Sequence, residues 1–198
     1  MISNSQLRLV ISSEVEKSFL IKIETKRLAL IPHDPKHLLA LLTSSEESEK
    51  ISGMRIAEGV REFLLSASPQ FFAQLQTASE PDLWKIGLAI IHRIDIVMIG
   101  MCGFAAPPDS DGIVEIGYGI APDYQGKGYA SEAAQGLVDF ASRDPRVRTI
   151  RAHTLLQASA STRVLEKCGF EKISETVDPE NNMPIWRWER SAKSTSTS

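Results

Sequence analysis

Cysteine is scarce in this chain. It occurs twice in 198 residues, at Cys102 and Cys168. Neither belongs to a Cys-x-x-Cys pair or a Cys/His cluster, so no metal-binding spacing is present and no metal is expected. The two thiols read as reduced and buried, in keeping with a cytoplasmic protein. Long apolar runs are missing too. No stretch of about 18 uncharged apolar residues exists, so no membrane span is expected. The first residues lack the basic-then-apolar order of a secretory signal. An excess of one charge sign is also absent: 22 Lys and Arg against 25 Asp and Glu leave a net charge of −3. The most basic run, Arg143 to Arg148, is broken by Asp144 and Pro145 and reads as a helix end with a turn. Nucleic acid and anionic membrane are therefore not expected partners. Gly-Lys-Ser/Thr does not occur, nor does G-x-G-x-x-G in a strand–helix–strand setting, which argues against a nucleotide-binding protein.

What remains is ordinary globular material, 42% hydrophobic and 24% charged. Such a length supports one sizeable core. Residues 1–18 are weakly patterned, and Leu7 to Ile11 fits a short strand or a helix fragment equally. Residues 19–190 read as a single domain. Residues 191–198, polar and small, read as a disordered tail. Inside the domain, strands and helices alternate. Phe19 to Pro32 reads as a strand, and Asp34 or Pro35 starts a helix to about Leu42. Glu46 to Gly53 is polar. Val60 to Gln76 carries one broad apolar face, with Pro69 breaking or kinking it. Leu83 to His92 and Ile94 to Ala105 read as a hairpin around Arg93-Ile94-Asp95. Gly112 to Ile120 is the next strand, Ser131 to about Arg143 a helix, and Thr149 to Leu155 a strand. A helix from Ser159 or Ala160 to Cys168 ends at Gly169. Phe170 to Val177 and Met183 to Glu189 are the last strands. The expected fold is mixed α/β (α+β) with a mostly antiparallel sheet flanked by helices.

The most informative segment joins the Gly112–Ile120 strand to the helix that follows. Gln125-Gly126-Lys127-Gly128-Tyr129-Ala130 fits Gln/Arg-x-x-Gly-x-Gly/Ala. A strand, a glycine-containing loop and a helix start make a phosphate cradle. Unpaired N–H groups and the helix dipole favour an anion there, and glycine lets the backbone come close. Ser131 can add a hydroxyl.

Three segments in order carry a family resemblance. These are Ile23 to Leu30 (Ile-Glu-Thr-Lys-Arg-Leu-Ala-Leu), Glu115 to Ala130, and Ser159 to Phe170 (Ser-Ala-Ser-Thr-Arg-Val-Leu-Glu-Lys-Cys-Gly-Phe). Together they resemble the GNAT N-acetyltransferases, in the branch that contains the ribosomal-protein N-terminal acetyltransferases. The resemblance spans roughly Ile23 to Glu189. It implies acetyl-CoA as donor and a primary amine as acceptor: a protein N-terminus, an amino acid or another small amine. It implies two splayed parallel strands, Val114–Ile120 and Ile150–Leu155, with the pantetheine arm between them near Ile120. The pyrophosphate would rest on the backbone of Gln125, Gly126, Lys127, Gly128, Tyr129 and Ala130. A homodimer is an analogy the family offers. Two positions depart from the pattern. Ala158 stands where an Asn is common in this branch, and Leu165 where other members carry a tyrosine acid.

Acetyl transfer to an amine needs a neutral nucleophile, an oxyanion donor and a proton for the thiolate. Glu115 is the candidate base, through water, on the strand face it shares with Gly117 and Gly119. Those glycines leave room for substrate. A structural ion pair is the competing role for Glu115. Ser161 is the candidate acid, against helix capping as its other use. His153, on the second splayed strand, is the histidine of interest. Tyr118 points away from Glu115 and reads as core. A non-catalytic acyl-CoA-binding regulatory module is the alternative, made credible by Ala158 and Leu165.

Overall fold

The computed structural model describes residues 22–179 and 181–192. The expected extension at 1–18, and the tail after Ala192, lie outside those residues.

The region read as one strand from Phe19 is a hairpin where it is described, β1 (Ile23–Glu24) with β2 (Leu28–Pro32). Thr25 makes the turn: its backbone N–H donates to the Leu28 carbonyl, and its hydroxyl accepts from the Leu28 N–H at 3.1 Å. Next come α1 (Pro35–Thr43), capped by Asp34 with proline in its first turn, and α2 (Ser45–Ser52). The polar stretch at Glu46 to Gly53 is thus a helix. Ser44 caps it and Gly53 closes it in the left-handed region. A short strand β3 (Arg55–Ile56) follows. The long apolar face from Val60 divides into α3 (Val60–Leu65) and α4 (Pro69–Thr77). Pro69 starts the second helix, behind the Ser68 cap, because it cannot donate inside the first.

The hairpin expected around residue 94 is present but shorter. β4 is Leu88–His92 and β5 is Val97–Phe104. Residues 83–86 form a turn under Asp82, whose carboxylate accepts from Trp84 N–H at 2.9 Å. β6 (Ile113–Ile120) leads through a single 3-10 turn, Pro122–Tyr124, to α5 (Tyr129–Ala141). β7 (Thr149–Leu155), α6 (Ala160–Lys167), β8 (Glu171–Val177) and β9 (Pro184–Ser191) complete the domain. The sheet reaches past residue 190: Ser191 ends β9, and Ala192 N–H donates to the Arg148 carbonyl.

Among the described residues the sheet has nine strands in the order β1-β2-β4-β5-β6-β7-β9-β8, with β3 beside β5. Pairing is antiparallel except for β3 with β5 and β6 with β7. The β6–β7 pair decides the architecture. It holds only over Ile113–Glu115 against Thr149–Arg151. β6 then stays with β5 as far as Ile120, whereas β7 stays with β9 as far as Leu155. The two central strands therefore part, as expected, and leave a gap between them.

Strand alternation builds one core on each face. On one side Val114 and Ile116 meet Ala133, Ala134 and Leu137 of α5 and Leu165 of α6. On the other, Leu38, Leu41, Leu64 and Leu75 of α1, α3 and α4 cover Ile31, Ile91 and Met101. Burying each such leucine contributes about 2 kcal/mol. Small residues let α5 lie close to the sheet: a Cβ on Gly136 would come within 3.2 Å of the Leu30 and Thr25 side chains.

Candidate active site

The loop before α5 is built by its own side chains. Gln125 Nε2 donates to the Ile120 carbonyl at 2.8 Å, and Lys127 Nζ donates to the Asp123 carbonyl at 2.8 Å. Both side chains brace the turn, leaving the backbone to face a ligand. Gly126 and Gly128 stand at φ 73° and 82°, where a Cβ is strained. Gly128 is the N-cap of α5, and among the described residues no side-chain cap is formed there. The N–H groups of Tyr129, Ala130 and Ser131 thus lie at the positive end of the helix dipole without a side-chain cap. These features fit a pyrophosphate.

Residues from the far end of the chain hold this turn in place. Arg27 Nη1 donates to the Lys127 carbonyl at 2.9 Å, and its Nε meets Glu132 Oε2 at 2.7 Å. Arg27 N–H and the Thr25 hydroxyl both donate to Glu132 Oε1 at 2.6 Å. The guanidinium also lies 4.3 Å over the Tyr129 ring. Burial opposes the Glu132 charge, but hydrogen bonds from Thr25 and Arg27, with the Arg27 charge, hold its carboxyl below the ordinary range. The Tyr129 hydroxyl contacts His92 Nε2 at 3.0 Å, and His92 Nδ1 contacts Asp95 at 2.9 Å. None of these partners was legible as a pair, because Arg27 and Glu132 stand 105 positions apart. The Thr-x-Arg-Leu run was the available signal.

The gap exposes backbone. Ala105 N–H donates to the Glu115 carbonyl and Ala121 N–H to the Ile99 carbonyl, so odd-numbered residues of β6 turn their polar groups toward β5. Ile116 N–H still belongs to the ladder with β7, as the Glu115–Arg151 register requires, and the N–H groups of Tyr118 and Ile120 face the side that β7 has left. They are backbone donors of the kind an oxyanion or an amide-bearing arm requires.

On the face covered by α3 and α4, a cleft of about 720 Å³ opens against β5, β6, β7 and β9. Glu115 and His153 both line it, and His153 Nδ1 lies 2.9 Å from Glu115 Oε1. The Glu115 side chain is 40% exposed and that of His153 is 24% exposed. No partner holds His153 Nε2 among the described residues. Glu115 and Arg151 are register partners across β6 and β7, but Arg151 is taken by Glu189 at 2.8 Å. Of the two glycines expected to leave space, Gly117 does so: a Cβ there would meet nothing within 4 Å. Gly119 does not, because the Phe63 ring already fills the place a Cβ would take.

Ser161 stands apart from Glu115, on the α6 side of the sheet. The capping of α6 belongs to Ser159 and Thr162, so the Ser161 hydroxyl is not needed there. The Tyr118 hydroxyl donates to the Ser161 carbonyl at 3.3 Å. Tyr118 packs against the α5 core as expected, and burial, then the Cys168 charge, push its phenol pKa up. Leu165 is buried core and carries no hydroxyl toward the gap. The structure thus joins Glu115 to His153, which sequence spacing did not pair, and puts Tyr118 beside Ser161.

Comparison with known proteins gives the family. The Acetyltransferase (GNAT) domain family matches residues 27–171, and the chain belongs to that family. The N-acetyltransferase YjdG of Bacillus subtilis is 35% identical over 81 residues, which cover 41% of this chain and 48% of that protein. YoaA, also an N-acetyltransferase of Bacillus subtilis, is 28% identical over 152 residues, covering 76% of this chain and 82% of that protein. The chain spans about half the length of the first curated relatives it matches, 48% and 46%. Among solved structures, a candidate ribosomal-protein-serine acetyltransferase of Vibrio cholerae superposes with a TM-score of 0.59 at 13% identity, covering 87% of this chain and 98% of that one. That likeness shows the fold.

Proposed function

We propose that the protein transfers an acetyl group from acetyl-CoA to a primary amine by direct attack on the thioester. One observation carries the reading: β6 and β7 part after Glu115 and Arg151, and the Glu115–His153 pair stands where they part, on the strand that leads to the glycine loop. The acceptor enters through the α3–α4 cleft. Its ammonium gives a proton to the Glu115–His153 pair, directly or through water, and the freed nitrogen attacks the thioester carbon. The new C–N bond forms as the C–S bond breaks, with Tyr118 or Ile120 N–H steadying the oxyanion. The departing thiolate takes a proton from Tyr118, whose raised pKa keeps it protonated, or from Ser161, and the second proton that the attacking nitrogen sheds as the amide forms restores that hydroxyl through water. The Gly126–Ser131 backbone and its Arg27 brace hold the donor's pyrophosphate. A cytoplasmic location belongs to this reading, supported by two buried free thiols and by the supply of acetyl-CoA.

The alternative is an acyl-CoA-binding module without turnover. The apolar Leu165 favours it, since the tyrosine acid common at that position is missing. Thiol release from acetyl-CoA over a panel of amino acids, peptides and polyamines separates the two, combined with a thermal shift. A shift with acetyl-CoA but not with ATP or NAD, together with thiol release, supports the enzyme. No shift at millimolar acetyl-CoA sinks both readings, because ligand at 100 times its Kd adds about 2.7 kcal/mol.

A further inference from the structure

We infer that the acceptor is a small α-amino acid with an apolar side chain, anchored by its carboxylate on Arg187. This rests on the acetyl-transfer reading above. Arg187 on β9 is the register partner of His153 on β7, so both side chains leave the sheet together on the cleft face. The charges behind them do not balance. Arg151 bonds Glu189 through Nε at 3.0 Å and Nη2 at 2.8 Å. Arg187 reaches the same carboxylate only at 3.6 Å, without a hydrogen bond. One carboxylate thus serves two guanidiniums.

Arg187 Nε is buried and unpartnered among the described residues, although its side chain is 35% exposed. Arg187 is also one of the residues that line the cleft. A guanidinium partly withdrawn from water and short of acceptors is completed by a bidentate carboxylate. Besides Arg151, the cleft is lined by Lys85, which is already held by Asp82 at 3.0 Å, and Asp178 at the rim has a partner of its own.

Spacing then selects the ligand. Side chains directly opposite across two strands start about 5 Å apart. An α-amino acid carries its amine and carboxylate two bonds apart, so a carboxylate on Arg187 sets the amine beside His153 and Glu115. The open space over Gly117, walled by Phe71, takes an apolar side chain. A polyamine would bring a second ammonium against Arg187. A peptide N-terminus would bring a neutral amide and leave Arg187 unmatched.

The test compares L-phenylalanine, L-leucine and L-methionine with the matching amines that lack the carboxylate, with L-phenylalanine amide and with spermidine. The expected result is a preference of about a hundredfold or more in kcat/KM for at least one amino acid over its decarboxylated partner. Arg187→Gln should raise KM for that amino acid about a hundredfold and leave the simple amine nearly unchanged, with Arg187→Lys in between. Equal or better turnover of the simple amines or spermidine overturns the inference while leaving acetyl transfer intact. An unaltered KM in Arg187→Gln overturns it too. Calorimetric binding of N-acetyl-L-phenylalanine and of N-acetylphenethylamine, both with CoA present, needs no turnover. Binding of the first alone, lost in Arg187→Gln, upholds the carboxylate site even if acetyl transfer fails. Equal binding of both, or of neither, sinks it.

Discussion

His153 Nδ1 lies 2.9 Å from Glu115 Oε1, at the place where β6 and β7 part company. Neither residue is committed elsewhere among the described groups, and both reach the cleft. A carboxylate that orients an imidazole leaves the other ring nitrogen available for a substrate proton.

Glu115→Gln and His153→Ala are therefore expected to lower kcat/KM by about 10²–10⁴, the usual contribution of a positioned base. The double variant should be little worse than the poorer single variant, because residues acting as a unit are not additive. The pH–rate profile checks this. Loss of its acidic limb in both single variants is the expected sign; an intact profile in Glu115→Gln removes the pair from the mechanism.

The Arg27–Glu132 brace predicts a separate defect. Arg27→Ala should raise KM for acetyl-CoA with kcat largely kept, since the guanidinium shapes the loop and does not touch the cleft. Glu132→Gln should destabilise the fold by about 2 kcal/mol at neutral pH, the scale of hydrogen bonds to a charged group. The Glu132 carboxyl is held below its ordinary range, so its contribution is present above the unfolded-state pKa and is lost as pH falls through the lower folded value. Urea melts at pH 7 and pH 3 should converge for the two proteins at the acidic end.

The glycines of the site differ in kind. Gly126→Ala meets no neighbour and should cost about 1 kcal/mol from its φ of 73°, with weaker acetyl-CoA binding. Gly119→Ala must displace the Phe63 ring and should disturb both stability and the cleft wall. Gly117→Ala enters open space and should spare stability while raising KM for bulky acceptors. Thermal melts alongside KM values separate the three.

His33 predicts acid sensitivity. Burial, then the neighbouring His37 charge, lowers its pKa to about 3, and its Nε2 has no partner among the described residues. The folded state refuses a proton that the unfolded state accepts below about 6.5. Stability is thus full above that value and falls as pH drops toward 3, by about 2 kcal/mol at pH 5. His33→Leu should flatten this slope in urea melts between pH 7 and pH 5.

Much of this was legible along the chain. The Gln125–Ala130 loop, the β6 strand before it and the Ser159–Phe170 segment lie within short windows, where glycine, capping residues and alternation act locally. Those windows were enough for the fold and the family, and they hold the residues proposed to bind the donor. Helix α2 escaped notice because its apolar content is low and its signal lay in two caps, Ser44 and Gly53. The split at Pro69 was visible as a break, and its form followed from the Ser68 cap.

The chemistry of the cleft was of another sort. Glu115, His153 and Arg187 come from three strands and meet only because β7 lies between β6 and β9 and parts from β6 after residue 151. Strand register sets which side chains stand abreast, and register is a property of the whole sheet. The same holds for Arg27 and Glu132, brought together when α5 packs on β2. Local pattern wrote the glycine loop and the helix start behind it; long-range pairing chose the groups that line the cleft.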